Sequence, residues 1–206
     1  MKVKNENLEK LFMYKIVDDF LPSLLFKYYS DHVSHLNFPW FYTNNISTGN
    51  KSFLPDVPIL NNFGFSSPAF ADIDNPPAAD GEATIFLFYP LLLMVQEECD
   101  GTEILRARFD MTTHTHSPHE HTAHVDTRIP NWACILYLNE TDGDTVLYNE
   151  KGENGKVPKG IDLTIKKVIS PKPNRLLIFD GDLIHTGYSP VEYSNRILLN
   201  MNFKKR

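Results

Sequence analysis

Cysteine is scarce: Cys99 and Cys134 are the only two in 206 residues, and neither sits in a Cys-x-x-Cys pair. That excludes a disulfide framework and leads us to expect a reduced, cytoplasmic setting. Basic charge is short too, with 20 Lys and Arg against 26 Asp and Glu, a formal net charge of −6. Affinity for a polynucleotide rests on clustered cations that neutralise phosphates, so no nucleic-acid partner is expected. The one basic cluster, Lys204-Lys205-Arg206, reads as a solvated tail. Long apolar runs are also missing. The strongest, Ala83 to Val95, contains Pro90 and falls short of the about 20 residues a membrane-spanning helix needs, so it reads as core and no membrane partner is expected. Met1 to Lys10 has no apolar stretch behind its charges and is not expected to act as a secretory signal. No internal repeat or low-complexity tract is evident.

What is present is ordinary globular material, because 42% hydrophobic against 22% charged residues suffices for a sizeable core at one-domain length. We expect one domain over residues 1–206, with 1–82 as a helical and connecting support region and 83–206 as a β core. Phe12 to Val17 reads as a strand that leads, after Pro22-Ser23, into an amphipathic helix striped by Leu24, Leu25, Tyr28, His32, Val33 and Leu36. Residues 43–80, rich in Asn, Pro, Ser and Asp, read as a long surface connection with short ordered pieces, able to carry substrate contacts. From residue 83 short strands alternate with turn signals, as in an all-β barrel or sandwich. Trp132 to Asn139 and Thr145 to Asn149 flank Gly143 as a hairpin, and Lys151 to Lys159 reads as a polar loop.

The sharpest signal is His124-Val125-Asp126, followed by His185 and then Arg196. Residues i and i+2 of a strand point to the same face, so His124 and Asp126 can reach one metal from one strand. His185 supplies a third ligand just beyond the buried strand Leu176-Leu177-Ile178-Phe179. Two imidazoles and one carboxylate leave three adjacent positions open, which suits a non-haem Fe(II) that must bind an organic acid and O₂ together. Arg196 opens a segment whose alternation puts Arg196, Leu198, Asn200 and Asn202 on one face and Ile197, Leu199, Met201 and Phe203 on the other. A guanidinium facing inward is costly unless it meets an anion, and its planar fork matches a carboxylate.

In these motifs, together with the strand Ile135 to Asn139, the stretch Asp142-Gly143-Asp144-Thr145 and the run Pro173 to Phe179, the chain resembles the 2-oxoglutarate and Fe(II)-dependent dioxygenases, in their prolyl 4-hydroxylase-like branch. The likeness runs from residue 104 to 203. It implies a double-stranded β-helix, or jelly roll, with amino-terminal helices packed on the major sheet. It also implies His124, Asp126 and His185 as iron ligands, and 2-oxoglutarate held at its far carboxylate by Arg196 and Tyr137, with Thr145 on the wall of that pocket. O₂ would be the second cosubstrate, and the reaction would be hydroxylation of an unactivated C–H, in a prolyl residue of a peptide or protein or in a small molecule. The chain departs from the pattern in carrying Leu198 where many members have Ser, and Asn202 and Phe203 where a tryptophan often stands.

Other residues carry weaker signals. His114, His116, His119 and His121 read as a polar loop, with His119 and His121 the candidates for lining a site entrance, and several alternative ligand sets can be drawn from them. Arg106 and Arg108 share a strand face and read as surface charge, or more sharply as a binding place for a substrate carboxylate. Cys134 reads as an inert core thiol, and His32 and His35 as structural or exposed. Two rival functions stand beside the oxygenase: a cupin-like metal enzyme that works without a keto acid, and a non-catalytic jelly-roll binding module.

Overall fold

Strand alternation at the end of the chain organises the molecule. The computed structural model describes residues 13–47, 62–70 and 82–206, with the backbone alone over 82–85. Twelve elements follow one another: β1 (Tyr14–Val17), α1 (Ser23–Val33), β2 (Phe41–Thr43), β3 (Gly64–Phe70), α2 (Glu82–Glu98), β4 (Glu103–Thr113), β5 (Asn131–Tyr137), β6 (Thr145–Lys151), β7 (Ile165–Ile169), β8 (Leu176–Asp180), β9 (Leu183–Gly187) and β10 (Asn195–Lys204). They build two antiparallel sheets, one ordered β1-β8-β5-β10-β4-β3-β2 and a smaller one ordered β7-β6-β9. This is the expected jelly roll.

β10 lies between β4 and β5, and its two faces do different work. Ile197, Leu199, Met201 and Phe203 pack with Tyr29 and Val33 of α1 and Phe88, Leu91, Leu92 and Val95 of α2, so both helices sit on the outer face of the large sheet. Cys134 belongs to the same layer as an unpaired thiol. On the inner face Leu198 packs with Ile135, Tyr137, Leu147, Leu177 and Leu183 between the two sheets. Burying side chains on both faces stabilises the fold by roughly 25 cal/mol for each Å² of apolar surface removed from water, and a slip of one residue would exchange the two sets.

Several expectations need correction. The apolar run Ala83 to Val95 is not a series of short strands but the body of α2, with Pro90 inside it. Periodicity was concealed because Phe86, Tyr89 and Leu93 remain exposed apolar residues on the far side of the stripe Phe88, Leu91, Leu92 and Val95. The face of α1 is rotated from the expected stripe. Tyr29 and Val33 are buried with Leu25 and Phe26 beside them, while Leu24, Tyr28 and Leu36 face solvent. Within residues 43–80, β3 supplies one of the expected short ordered pieces, paired with β4; residues 48–61 and 71–80 lie outside the described set, as does Phe12 of the expected first strand. The segment around Gly143 is not a hairpin either, because β5 and β6 belong to different sheets and the connection arches between them. A Cβ at Gly143 would overlap the Tyr188 carbonyl and the Arg196 side chain, so close approach, rather than a tight turn, calls for glycine. Among the described residues no helix is long and apolar enough to cross a membrane.

The entrance to α1 is fastened to the start of β8 by one side chain. Asn174 takes a positive φ of 63°. Its Oδ1 accepts from the Leu21 amide at 2.9 Å and its Nδ2 donates to the Leu21 carbonyl at 2.8 Å, both buried. Asn tolerates left-handed backbone better than most residues, and it satisfies two groups that water cannot reach. Asn174→Ala should therefore cost about 2–4 kcal/mol, combining backbone strain with two orphaned polar groups. Asn174→Gly should relieve the strain alone and fall between. Urea denaturation midpoints check this, and an unchanged midpoint in the alanine variant contradicts it.

Candidate functional site

His124 and His185 meet through the backbone before they meet through their rings. Each amide donates to the other's carbonyl, at 2.9 and 3.0 Å, forming an isolated antiparallel bridge. Directly opposed residues of an antiparallel pair project to the same side, and the two rings lie 4.5 Å apart. The expected strand through His124 is reduced to this bridge, whereas His185 stands within β9 instead of beyond a strand end. Asp126 brings its carboxylate to 3.6 Å from His124 Nε2 and 3.8 Å from His185 Nε2. One ligand atom from each of the three residues falls within 4.8 Å of the others, the one such group among the described residues.

The tautomers follow from hydrogen bonding. His124 Nδ1 lies 2.9 Å from the Thr122 carbonyl and His185 Nδ1 lies 3.0 Å from the Leu183 carbonyl. A carbonyl only accepts, so each Nδ1 carries the proton and each Nε2 keeps its lone pair for the site. Burial, followed by the neighbouring His124, pushes the His185 pKa down to about 4, so its ring is neutral at pH 7. Burial opposes ionisation of Asp126, but His124, His185 and Arg106 outweigh it and hold the carboxyl well below its ordinary range. Two imidazoles that present Nε2 and one carboxylate form a donor set suited to a divalent transition metal with an open face.

An open cavity beside these residues, about 540 Å³ with the solvent space at its mouth included, is lined by His124 and His185 as well as by Thr145 and Arg196. Arg196 is only 6% exposed. Its Nη2 donates to Thr145 Oγ1 at 2.7 Å, and the Tyr137 hydroxyl donates to the same oxygen at 2.7 Å. The guanidinium carbon stands 5.7 Å from the centre of the Tyr137 ring. None of the ion pairs among the described residues involves Arg196, and its Nε has no hydrogen-bond partner. A buried cation left in this condition is costly unless an anion completes it. Burial accordingly lowers its pKa from the usual arginine value.

The weaker sequence signals resolve unevenly. His114 and His116 are exposed, as a loop reading requires. His121 is buried and lines the cavity, contrary to the loop reading but in keeping with its candidacy for the site entrance. Its Nδ1 faces Asn62 Oδ1 at 3.0 Å and its Nε2 faces Ser189 Oγ at 2.9 Å, so neither nitrogen is spare for a metal. Its pKa falls to about 3, chiefly through burial. Arg106 and Arg108 are not surface charges. Arg106 approaches Asp126 at 3.8 Å, and Arg108 pairs with Asp110 at 2.6 Å on the cavity wall. Asp110 and Asn131 were not singled out in the sequence, and only the pairing of β4 with β10 and the turn after β8 bring them in.

No family model and no curated protein matches the sequence. Among solved structures the fold is similar to a 2OG-Fe(II) oxygenase family oxidoreductase from Burkholderia pseudomallei, at 9% identity and a TM-score of 0.59 over 93% of this chain and 85% of that one. It is similar to a prolyl hydroxylase from Trichoplax adhaerens, solved with a peptide fragment of the hypoxia inducible factor oxygen degradation domain, at 17% identity and a TM-score of 0.61 over 97% and 86%. HygX from Streptomyces hygroscopicus, solved with nickel, 2-oxoglutarate and hygromycin B, matches at 11% identity and a TM-score of 0.54 over 94% and 83%. Identities this low carry the fold and leave the chemistry to the site.

Proposed function

We propose that the protein is a 2-oxoglutarate- and Fe(II)-dependent dioxygenase that hydroxylates an unactivated C–H bond. One observation carries the reading: a buried arginine without an ion-pair partner among the described residues lines the same cavity as a His-Asp-His cluster. A cupin-like enzyme without a keto acid gives Arg196 no task, and a binding module without chemistry gives no reason to bury these charges.

In this reading His124, Asp126 and His185 hold the ion. When bound, Fe(II) and 2-oxoglutarate supply O₂ activation, with the balance R–H + 2-oxoglutarate + O₂ giving R–OH, succinate and CO₂. The chain's own residues fix where this happens. Nδ1 bonds to backbone carbonyls aim both imidazoles, so the rings need no reorganisation to accept a metal. Arg196 supplies a fork for the far carboxylate, and Thr145 orients that fork while accepting a hydrogen bond from the Tyr137 hydroxyl. Leu198 and Ile135 line the cavity as well and keep water from part of its wall.

For the substrate, the finer reading is a prolyl residue of a peptide or protein, supported by the prolyl hydroxylase among the similar folds and by an acidic chain unsuited to polynucleotides. A polar small molecule is the second reading. It is favoured by the Arg108–Asp110 pair on the cavity wall and by the hygromycin B bound in HygX.

His185→Ala should abolish succinate formation and weaken Fe(II) binding, whereas His114→Ala should change neither; wild-type turnover in the His185 variant would sink the ligand assignment. Arg196→Met should preserve metal affinity while weakening 2-oxoglutarate by about 2–5 kcal/mol, the cost of breaking a desolvated charge pair. An unchanged 2-oxoglutarate requirement would mean that another residue holds the far carboxylate. With proline-containing peptides and polar small molecules offered in parallel, substrate-stimulated succinate and a product gaining one oxygen should appear with a peptide. Stimulation by small molecules alone refutes the prolyl reading and leaves the oxygenase intact.

A further inference from the structure

We infer that Asn202, itself oriented by Asn131, is a positioning residue that holds one oxygen of Asp126 and leaves the other for the metal. The inference rests on the metal-centre reading above. The direction of every bond is fixed from the far end. Asn131 Nδ2 donates to the Ile129 carbonyl at 2.8 Å. Since that carbonyl can only accept, the Asn131 amide must turn its nitrogen there and its oxygen the other way. The oxygen accepts from Asn202 Nδ2 at 3.0 Å, and the same nitrogen donates to Asp126 Oδ2 at 3.1 Å. Both hydrogens of the Asn202 amide are thus committed. Asn131 and Asn202 are 0% and 1% exposed, so water cannot stand in for either.

The surroundings are built around this relay. The Gly181 amide donates to the Asn131 carbonyl at 2.9 Å, and a Cβ at Gly181 would overlap the Asn131 side chain. The β10–β4 register shifts between Asn202 and Phe203, and such an irregularity bends a strand and re-aims its side chains. Asp126 Oδ1 is left facing His124 Nε2 at 3.6 Å and the Arg106 guanidinium at 3.8 Å, with no hydrogen bond of its own to Asn202, whereas Oδ2, which stands 3.8 Å from His185 Nε2, is the oxygen that Asn202 engages. A carboxylate free to rotate could bind an ion through both oxygens and fill a position that a cosubstrate needs. With Oδ2 tied to Asn202, Asp126 offers one oxygen and the open face is kept.

Co(II) titrated into the full chain, followed by calorimetry and by visible absorption, tests this without turnover. Asn202→Ala should weaken Co(II) binding by roughly 10–100-fold and alter the spectrum. Asn131→Ala should weaken it less, and should add nothing in the Asn202→Ala background, because the relay is already cut. Asn202→Leu keeps the volume and removes both donors, so it replaces the alanine variant if circular dichroism shows that one unfolded. Wild-type affinity and spectrum in the Asn202 variants, or additive effects of the two substitutions, overturn the relay. Absence of Co(II) binding by the wild type overturns the metal-centre reading, and the relay with it.

Discussion

Everything in the site depends on the register of one strand. β10 is held between β4 and β5, and its outward residues are locked into the helix-facing core. Because side chains alternate with a period of two, fixing Ile197, Leu199, Met201 and Phe203 outward obliges Arg196, Leu198, Asn200 and Asn202 to face inward. The apolar face sets the register, and the polar face inherits its position. Arg196 reaches Thr145 at one end of the strand, and Asn202 reaches Asp126 toward the other.

The electrostatics follow the same division. Around Asp126 the charges nearly close on themselves, since Arg106 and Asn202 stabilise the carboxylate, burial holds His185 neutral, and the Nδ1 bonds turn both Nε2 atoms toward the site. On the neighbouring wall Arg108 and Asp110 neutralise each other. Arg196 is different, because its hydroxyl contact orients it without balancing its charge. A stable fold tolerates such a group when the burial around it is large, which is the condition the two layers of core provide. The interior is therefore asymmetric, with a donor cluster at one place and a lone cation at another.

How much of this was legible in the sequence depends on how local each cause is. β10 was readable because its alternation is a property of ten consecutive residues. The start of α1 was readable from Pro22-Ser23, and β8 from a bounded apolar run. The spacing of His124 and Asp126 was legible, although the regular strand expected beneath it is a single bridge. α2 was missed because apolar residues on its exposed side blurred the helical period. The Gly143 arch was missed because a turn signal cannot say whether its flanking strands share a sheet. The sequence offers His121 for a site entrance and Arg106 for a substrate carboxylate, but not their actual pairings, nor that of Asn131, since the partners Asn62, Asp126 and Asn202 are distant in sequence and no local pattern announces them.

The segment that carries His124 also has a second effect, on how the protein meets other chains. Residues 119–124 run antiparallel beside β9, tied at His124 and His185, at His121 and Gly187, and at Glu120 and Tyr188. The tyrosine hydroxyls of Tyr148 and Tyr188 both donate to Glu120 and pin its carboxylate. β9 is an outer strand of the small sheet, and a bare outer strand is a template on which a foreign strand can add. The histidine segment occupies that template with a short, irregular cover. Peeling it away would separate His124 from His185 and expose a row of unpaired amides in a single event. An ion bridging the two histidines would therefore also be a clasp on a sheet margin, fastening the cover to the strand beneath it.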